Sequence, residues 1–432
     1  MSEEHTVHGL VDHLFRREAG RMIAILTRSL GPSHLSLAEE VVQEAMIQAL
    51  KRWPFHGVPQ NPAAWLHRVA RNLAVDHLRR DASFRDKEGP IRRLVEERSP
   101  PGSSSAHGIR ASLAGELDDD SLRLIFLCCH PALSRDSRVA LTLKTVAGFG
   151  VDEIARAFLQ TRTTIAQRLV RAKQRIRKLE LPFEMPPPDQ LSERLETVLE
   201  GLYLMFNEGY ASRSGDVLLR EDLCREALRL VRELTRNRIT DRPDVHALAA
   251  LLHFQAARLP ARQNASGQLM RLAEQDRTLW DEALIYRAFA HLERAAVGHT
   301  ESTYHLQAAI AAEHTVEDAK HTDWPRILKL YDRLMDAFPS PVVELNRAVA
   351  LAEVRGPAAA LTVLEELAAA GTLGDYYLLP ATRAEMQSRL NAVEDALASY
   401  QSALDCPCSE PERRFLNRRL HDLRAQKREA EA

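Results

Sequence analysis

Arg68, Arg71, Asn72 and Arg79 fall on one polar stripe if the chain around them is helical, and Trp65 stands near the start of that helix. Guanidinium groups in this register neutralise phosphates, and an aromatic beside them stacks on unpaired bases. A second cationic run, Arg156 to Lys178, holds eight Lys/Arg and no Asp/Glu. Within it Ile165, Leu169, Ala172 and Ile176 recur at helical spacing and must face a core. Arg162, Thr163, Ala166, Gln167 and Val170 are left on the outer face. Arg and Gln suit bidentate reading of guanine and adenine, and Thr reaches an acceptor or a thymine methyl. Arg168, Arg171, Lys173 and Arg175 are placed to meet phosphates. Glu40, Gln43 and Glu44 form a third polar group, which read alone is a solvated acidic face.

The elements that must position these groups are helices. Asn61 can cap one, with Pro62 at the first helical position and no further Pro or Gly until Gly89. Leu66, Val69, Ala70, Leu73, Ala74 and Leu78 give that helix a broad apolar face. Before it, Leu10 to Leu30 reads as an amphipathic helix ending at Gly31-Pro32. Leu35 to Trp53 reads as another, with Ser36 and Glu39 as a capping box and Val42, Ala45, Met46, Ala49 and Leu50 buried. Pro54 to Gln60 is then a loop. Further on, 122–133 and 137–149 read as two buried helices. A helix from Val151 to about Phe158, a turn at Leu159-Gln160 and a Thr161 cap complete a helix-turn-helix pattern. The second helix of such a pattern enters a major groove. Read alone, the pattern also fits a structural turn with a solvated basic surface.

Bulk properties bound the reading. At 432 residues the chain has room for two to four domains. It is 45% hydrophobic but only 6% aromatic, which favours an Ala/Leu-rich helical protein over a sheet protein. The net charge of −2 hides an asymmetry: residues 1–180 hold 28 Lys/Arg against 21 Asp/Glu, and residues 181–432 hold 30 against 39. A basic first half suits nucleic acid and an acidic second half does not. There is no apolar run long enough for a membrane span and no secretory leader pattern, so a cytoplasmic protein is expected. Five cysteines make no disulfide framework. Cys128-Cys129-His130 reads as buried thiols, because neighbouring side chains on a helix diverge by about 100° and chelate poorly. No metal or cofactor is expected.

Residues 83–115 carry mixed charges and then SPPGSSSAHG, the composition of a flexible linker. Leu179 to Pro188, LELPFEMPPP, reads as a second one, with the linker between domains set at 181–189. Beyond it everything reads helical. Turns at Asp323-Trp324-Pro325, Gly356-Pro357 and Asn391-Ala392 recur about every 34 residues, the tetratricopeptide (TPR) period. Val342–Arg355 with Pro357–Ala370, and Tyr376–Leu390 with Ala392–Leu404, read as helix pairs of a solenoid.

The segments resemble the extracytoplasmic-function (ECF) sigma factors. Trp65, Leu66, Arg68, Val69, Ala70, Arg71, Asn72, Leu73, Asp76, Leu78, Arg79 and Arg80 are similar to the region 2 helix at the promoter −10 element. Ala38 to Met46 is similar to the segment that docks on the clamp helices of RNA polymerase, with Glu40-Val41 in place of the usual Asp-Leu. Ala166 to Ile176 is similar to region 4, which reads the −35 element; Leu159 stands where many such turns carry Gly. CCHPAL (128–133), LMFNEGY (204–210), EDLCREALRL (221–230), EQDRTLWDEALI (274–285) and the stretch 323–357 resemble the ECF group with a long TPR-like extension.

The resemblance implies an all-α chain: region 2 bundle at 8–82, linker at 83–115, region 4 at 116–180, linker at 181–189, and a TPR-like regulatory solenoid at 190–428. It implies binding to the polymerase clamp helices and flap, the former through Glu40, Val41, Gln43 and Glu44. It implies −10 contacts from Phe55, His56, Trp65, Arg68, Arg71, Asn72 and Arg79, and −35 contacts from Arg162, Thr163, Thr164, Gln167, Arg168 and Arg171. Partners would be core polymerase and promoter DNA, with contact between the extension and the sigma regions and no membrane. No catalytic residues follow, because sigma factors do no covalent chemistry. Asn207, Glu208, Asp276, Arg277 and Trp280 are read as structural contacts. The alternative is a one-component helix-turn-helix regulator with a TPR-like sensor, which leaves Gln43–Glu44 and Trp65–Arg80 unexplained.

Overall fold

The computed structural model describes residues 18–80, 120–210, 221–298 and 301–431, apart from Leu159, 265–267 and Glu317. The start of the first helix, the linker at 83–115 and Leu159 lie outside them. Among the described residues the fold is all-helical, and its one β feature is an isolated antiparallel bridge between Gln263 and Leu269. The chain divides into two compact units, Met1–Met205 and Phe206–Ala432.

In the first unit, α1 (18–30) ends at Gly31, and a short turn at Pro32–His34 leads into α2 (Leu35–His56). α2 begins after His34, so Ser36 lies inside the helix and the expected Ser36–Glu39 capping box is absent. Glu39 instead points inward and is only 5% exposed. α2 also continues past Trp53 through Pro54 to His56, where the loop was expected. It stops at Gly57, whose φ of 78° a residue with a Cβ adopts only with strain.

α3 (Pro62–Arg80) packs on α2. Its start follows the sequence reading: Asn61 Oδ1 accepts from Ala64 N–H at 3.0 Å. Leu66, Ala70, Ala74 and Leu78 are fully buried.

α4 (120–128), α5 (Arg135–Leu141), a π-helical turn (Thr142–Val146), α6 (Val151–Ala157) and α7 (Arg162–Lys178) follow. Cys128 and Cys129 are buried as expected, and burial pushes the Cys129 thiol up to about 11. The stretch 181–189, expected as a linker, carries no helix. The next helix, α8 (Leu191–Tyr210), begins against the 120–178 helices. Arg194 donates to the Phe126 carbonyl at 2.8 Å, and Arg135 pairs with Glu200 at 2.7 Å.

In the second unit, α9 (Glu221–Arg236) and α10 (Pro243–Ala257) are followed by α11 (Glu282–Ala295) and α12 (Thr303–Glu313). α10 is buried nearly all round and packs on the other three. Then come α13 (Trp324–Ala337), α14 (Pro341–Arg355), α15 (Pro357–Ala370), α16 (Leu378–Arg389), α17 (Val393–Asp405) and α18 (Glu410–Glu431), each packed on the next. Three small cores run along the array. Leu306, Ile327 and Leu351 belong to the first, Leu345, Leu364 and Met386 to the second, and Ala384, Tyr400 and Leu420 to the third. No single helix could bury its apolar stripe alone, so each core is shared by successive helices.

Trp280 is buried, with the Arg277 guanidinium 4.8 Å from its ring centre and Arg258 on it too. Arg277 also donates to the His314 carbonyl at 2.8 Å, and Asp276 caps a short turn by accepting from Thr278. These contacts fit the structural role expected of that segment.

Candidate nucleic-acid interface

On α3 the polar stripe emerges as spacing dictates. Arg68, Asn72 and Arg79 are exposed, and Arg71 is half-buried. Trp65 is also half-buried, because its ring packs edge-on against Trp53, centroids 5.6 Å apart. Trp53 is in the core, so it fixes the position of Trp65 at the mouth of the helix. Phe55, in the last turn of α2, is 82% exposed, and His56 beside it donates from Nδ1 to the Arg52 carbonyl at 3.1 Å. An aromatic this free of packing is available to stack on a base.

On α2 the acidic group divides. Glu40 and Gln43 are exposed, and Glu44 lies 3.7 Å from His77 of α3. Val41 is fully buried, because it shares the apolar face with Ala38 and Ala45. The surface open to a partner is therefore Glu40, Gln43 and Glu44 without Val41.

The helix-turn-helix assembles from α6 and α7. Thr161 caps α7, accepting from Thr164 N–H at 3.1 Å, and its hydroxyl pairs with that of Thr164 at 2.9 Å. Ile165, Leu169, Ala172 and Ile176 are buried as read from the sequence. Arg162, Thr163, Gln167 and Arg171 are exposed together on the opposite face. Arg168 departs from expectation. It turns inward and pairs with Asp136 of α5 at 3.2 Å, so it braces α7 rather than presenting a free cation. A cleft of about 450 Å³ opens beside it, lined by Ser137, Thr164, Gln167, Arg171 and Arg175. This mixture of hydroxyls and guanidiniums is complementary to a phosphodiester backbone.

Lys173 also departs. It was read as a phosphate contact, but it forms an ion pair with Glu39. Thr145, from the π-helical turn, donates to the other Glu39 oxygen at 2.5 Å. The sequence did contain a signal for Glu39. It lies four residues after Leu35 and three before Val42, squarely on the apolar face of α2. Nothing local marked Thr145 or Lys173 as its partners.

Residues 14–84 match the family model for Sigma-70 region 2, and residues 123–176 match that for Sigma-70 region 4. The two matches fall on the two surfaces just described, in the order region 2 then region 4. The chain belongs to the sigma-70 family. It is thus a transcription initiation factor and not an enzyme, and its partners are core RNA polymerase and promoter DNA. Residues 194–296 of this sigma factor match a family of unknown function, DUF6596. An uncharacterized protein of Rhizobium meliloti (strain 1021) is 39% identical over 399 residues, 91% of each chain. No solved structure matches the sigma factor. Among its described residues no cluster of His, Cys, Asp or Glu could hold a metal ion, and no helix is long and apolar enough to cross a membrane.

Proposed function

We propose that this sigma factor is an alternative one of the ECF type, acting in the cytoplasm, with its own C-terminal helices as regulator. Glu40, Gln43 and Glu44 dock on the polymerase clamp helices, and α7's unit on the flap. Phe55, His56, Trp65 and the Arg68–Arg71–Asn72–Arg79 stripe capture the opened −10 element. Unpaired bases expose the faces and edges these groups need. Arg162, Thr163, Gln167 and Arg171 read the −35 duplex, while Thr164 sets the helix start. The observation that carries the reading is α7 itself: a capped helix with four buried apolar positions and an exposed face of Arg, Thr and Gln.

The helices after Tyr210 are proposed to be a TPR-like array that modulates initiation by contact with the sigma regions. The spacing of their starts, at Trp324, Pro357 and Val393, supports this.

Run-off transcription with core polymerase, on the DNA upstream of the protein's own coding sequence, tests both parts. Full-length protein is compared with a chain stopping after Tyr210, which keeps the helix that packs on Phe126. Initiation by either form supports the sigma reading, and a difference between them measures the extension. Duplex binding without initiation by either form returns the one-component regulator.

A further inference from the structure

Two guanidiniums meet one indole in the second unit. Arg277 opens the short turn Arg277–Leu279, and Trp280 ends it. Arg258 follows the last residue of α10, and His314 follows the last residue of α12. Arg277 lies 4.8 Å and Arg258 5.8 Å from the centre of the Trp280 ring. The Asp281 N–H donates to the Ala257 carbonyl at 3.0 Å, which holds the turn against the end of α10. Arg277 reaches the end of α12 as well, through one nitrogen, Nη1, that donates to the His314 and Val316 carbonyls.

Positive charge is in surplus there. Both guanidiniums are half-buried. Burial and then the Arg258 charge push Arg277 down, and the carboxylate that opposes them is Asp318. Asp318 is 51% exposed and already engaged, by the Lys320 N–H at 3.0 Å and by His321 at 3.7 Å. His314 feels the same field: burial and both guanidiniums push its imidazole down to about 4. Arginine does not escape such a field by losing its proton, so two cations stay charged side by side.

Donors are in surplus too. Trp280 is only 6% exposed, and its indole N–H is buried without an acceptor. The Nε of Arg258 is buried without one as well. Buried donors are costly to leave unmade and are nearly always paired in native proteins. Two orphans at one ring, beside two uncompensated cations, call for an anionic acceptor from outside the chain. The donors come from three residues, so the acceptor needs several oxygens. A phosphate carries three strong acceptor oxygens and close to two negative charges, whereas a carboxylate has two oxygens in one plane and answers a single fork. Trp280 is too buried to stack on a base, so the phosphate group itself is what the donors read.

We propose that Arg258, Arg277 and the Trp280 N–H form a phosphate-binding site in the second unit, for inorganic phosphate or the phosphate group of a small metabolite. The site falls within residues 194–296, the stretch that matches the family of unknown function. A bound phosphate ties the end of α10 to the turn and, through Arg277, to the end of α12, so it stiffens the start of the helical array. The proposal gives the second unit a ligand and does not depend on the sigma reading.

The test is isothermal titration calorimetry on the full-length chain, with inorganic phosphate, glucose 6-phosphate and acetate as titrants. Saturable binding of at least one of the two phosphates is expected, half-complete below about 1 mM and at least about tenfold tighter than acetate. The tighter of the two tells whether the free ion or a phosphorylated metabolite is the ligand. Arg258→Gln removes a guanidinium whose Nε makes no hydrogen bond within the chain, and should weaken binding at least about tenfold. Trp280→Phe keeps a ring under the guanidiniums and deletes the N–H, and should weaken binding about fivefold. Circular dichroism shows whether each variant keeps its helices, and a loss of helicity in one leaves the decision to the other. Three results overturn the site: no saturable binding of either phosphate up to about 10 mM, acetate bound as tightly as phosphate, or folded variants that bind as the wild type does. Calorimetry needs no polymerase, so a chain that fails to initiate leaves the site standing, and a chain that fails to bind phosphate leaves the sigma reading standing.

Discussion

His246 and His291 face each other in the second unit with their Nδ1 atoms 2.8 Å apart. Only one of the two can carry the shared proton. His246 donates from Nε2 to Asp241 at 2.7 Å, so in the neutral pair its Nδ1 accepts from His291. His253 lies tilted against His291, ring centroids 5.2 Å apart, and donates to the Ala249 carbonyl. The three rings form a column, His246 stacked and His253 tilted against His291, that joins α10 to α11.

Acid should loosen that column. Burial pushes all three imidazoles down, His291 to about 4, with its neighbouring histidines and Arg294 adding to the effect. Asp241 and Asp244 oppose the shift at His246, while Arg232 and Arg287 reinforce it at His253. A lowered folded-state value means that the unfolded chain binds more protons between about pH 4 and 6.5. Stability from the column is therefore present above pH 6.5 and is lost as pH falls toward 4. Urea midpoints followed by Trp280 and Trp324 fluorescence should fall over that window, and less steeply in His291→Gln.

Phe55→Ala should separate function from stability. A side chain this exposed makes few packing contacts, so the melting midpoint should stay within the change expected for about 0.5 kcal/mol. Promoter opening should weaken by about 1–3 kcal/mol, the worth of one base–aromatic stack. Permanganate reactivity of opened thymines is the readout. An unchanged opening would remove Phe55 from the −10 surface.

Thr161→Ala removes the cap of α7. The Thr164 N–H loses its acceptor, and the cost should be about 1 kcal/mol of stability by thermal denaturation. Thr161→Asp should restore most of it, because an aspartate caps as well as a threonine.

Gln167→Ala and Arg171→Ala should fail differently on duplex selected by the protein from a randomised pool. Loss of a base reader relaxes preference at one position by about 1–3 kcal/mol. Loss of a phosphate contact weakens all sequences alike and reduces the salt slope by about 1. Arg168→Ala should act mainly through stability, since its partner is Asp136. Binding titrations at several salt concentrations distinguish the three.

What the sequence by itself determined was local. Asn61-Pro62 and Thr161 mark helix starts because a cap and its N–H lie three residues apart on one chain. The buried faces of α3 and α7 followed from apolar spacing, and so did the exposure of Arg68, Asn72, Gln167 and Arg171, because a helix's geometry fixes which residues share a face. The end of α2 was misjudged, because Pro54 signals a break whereas Gly57 makes it.

What only the tertiary structure decided was the partnership of charges distant in sequence. Arg168 and Lys173 sit in a run that reads uniformly cationic, yet one braces α5 and the other answers Glu39, 134 residues away. Ser36 and Glu39 spell a capping box until Thr145 and Lys173 arrive from elsewhere. The worth of a charge depends on which opposite charge reaches it and how much water is excluded when it does. Neither quantity is written in the spacing of residues along one helix.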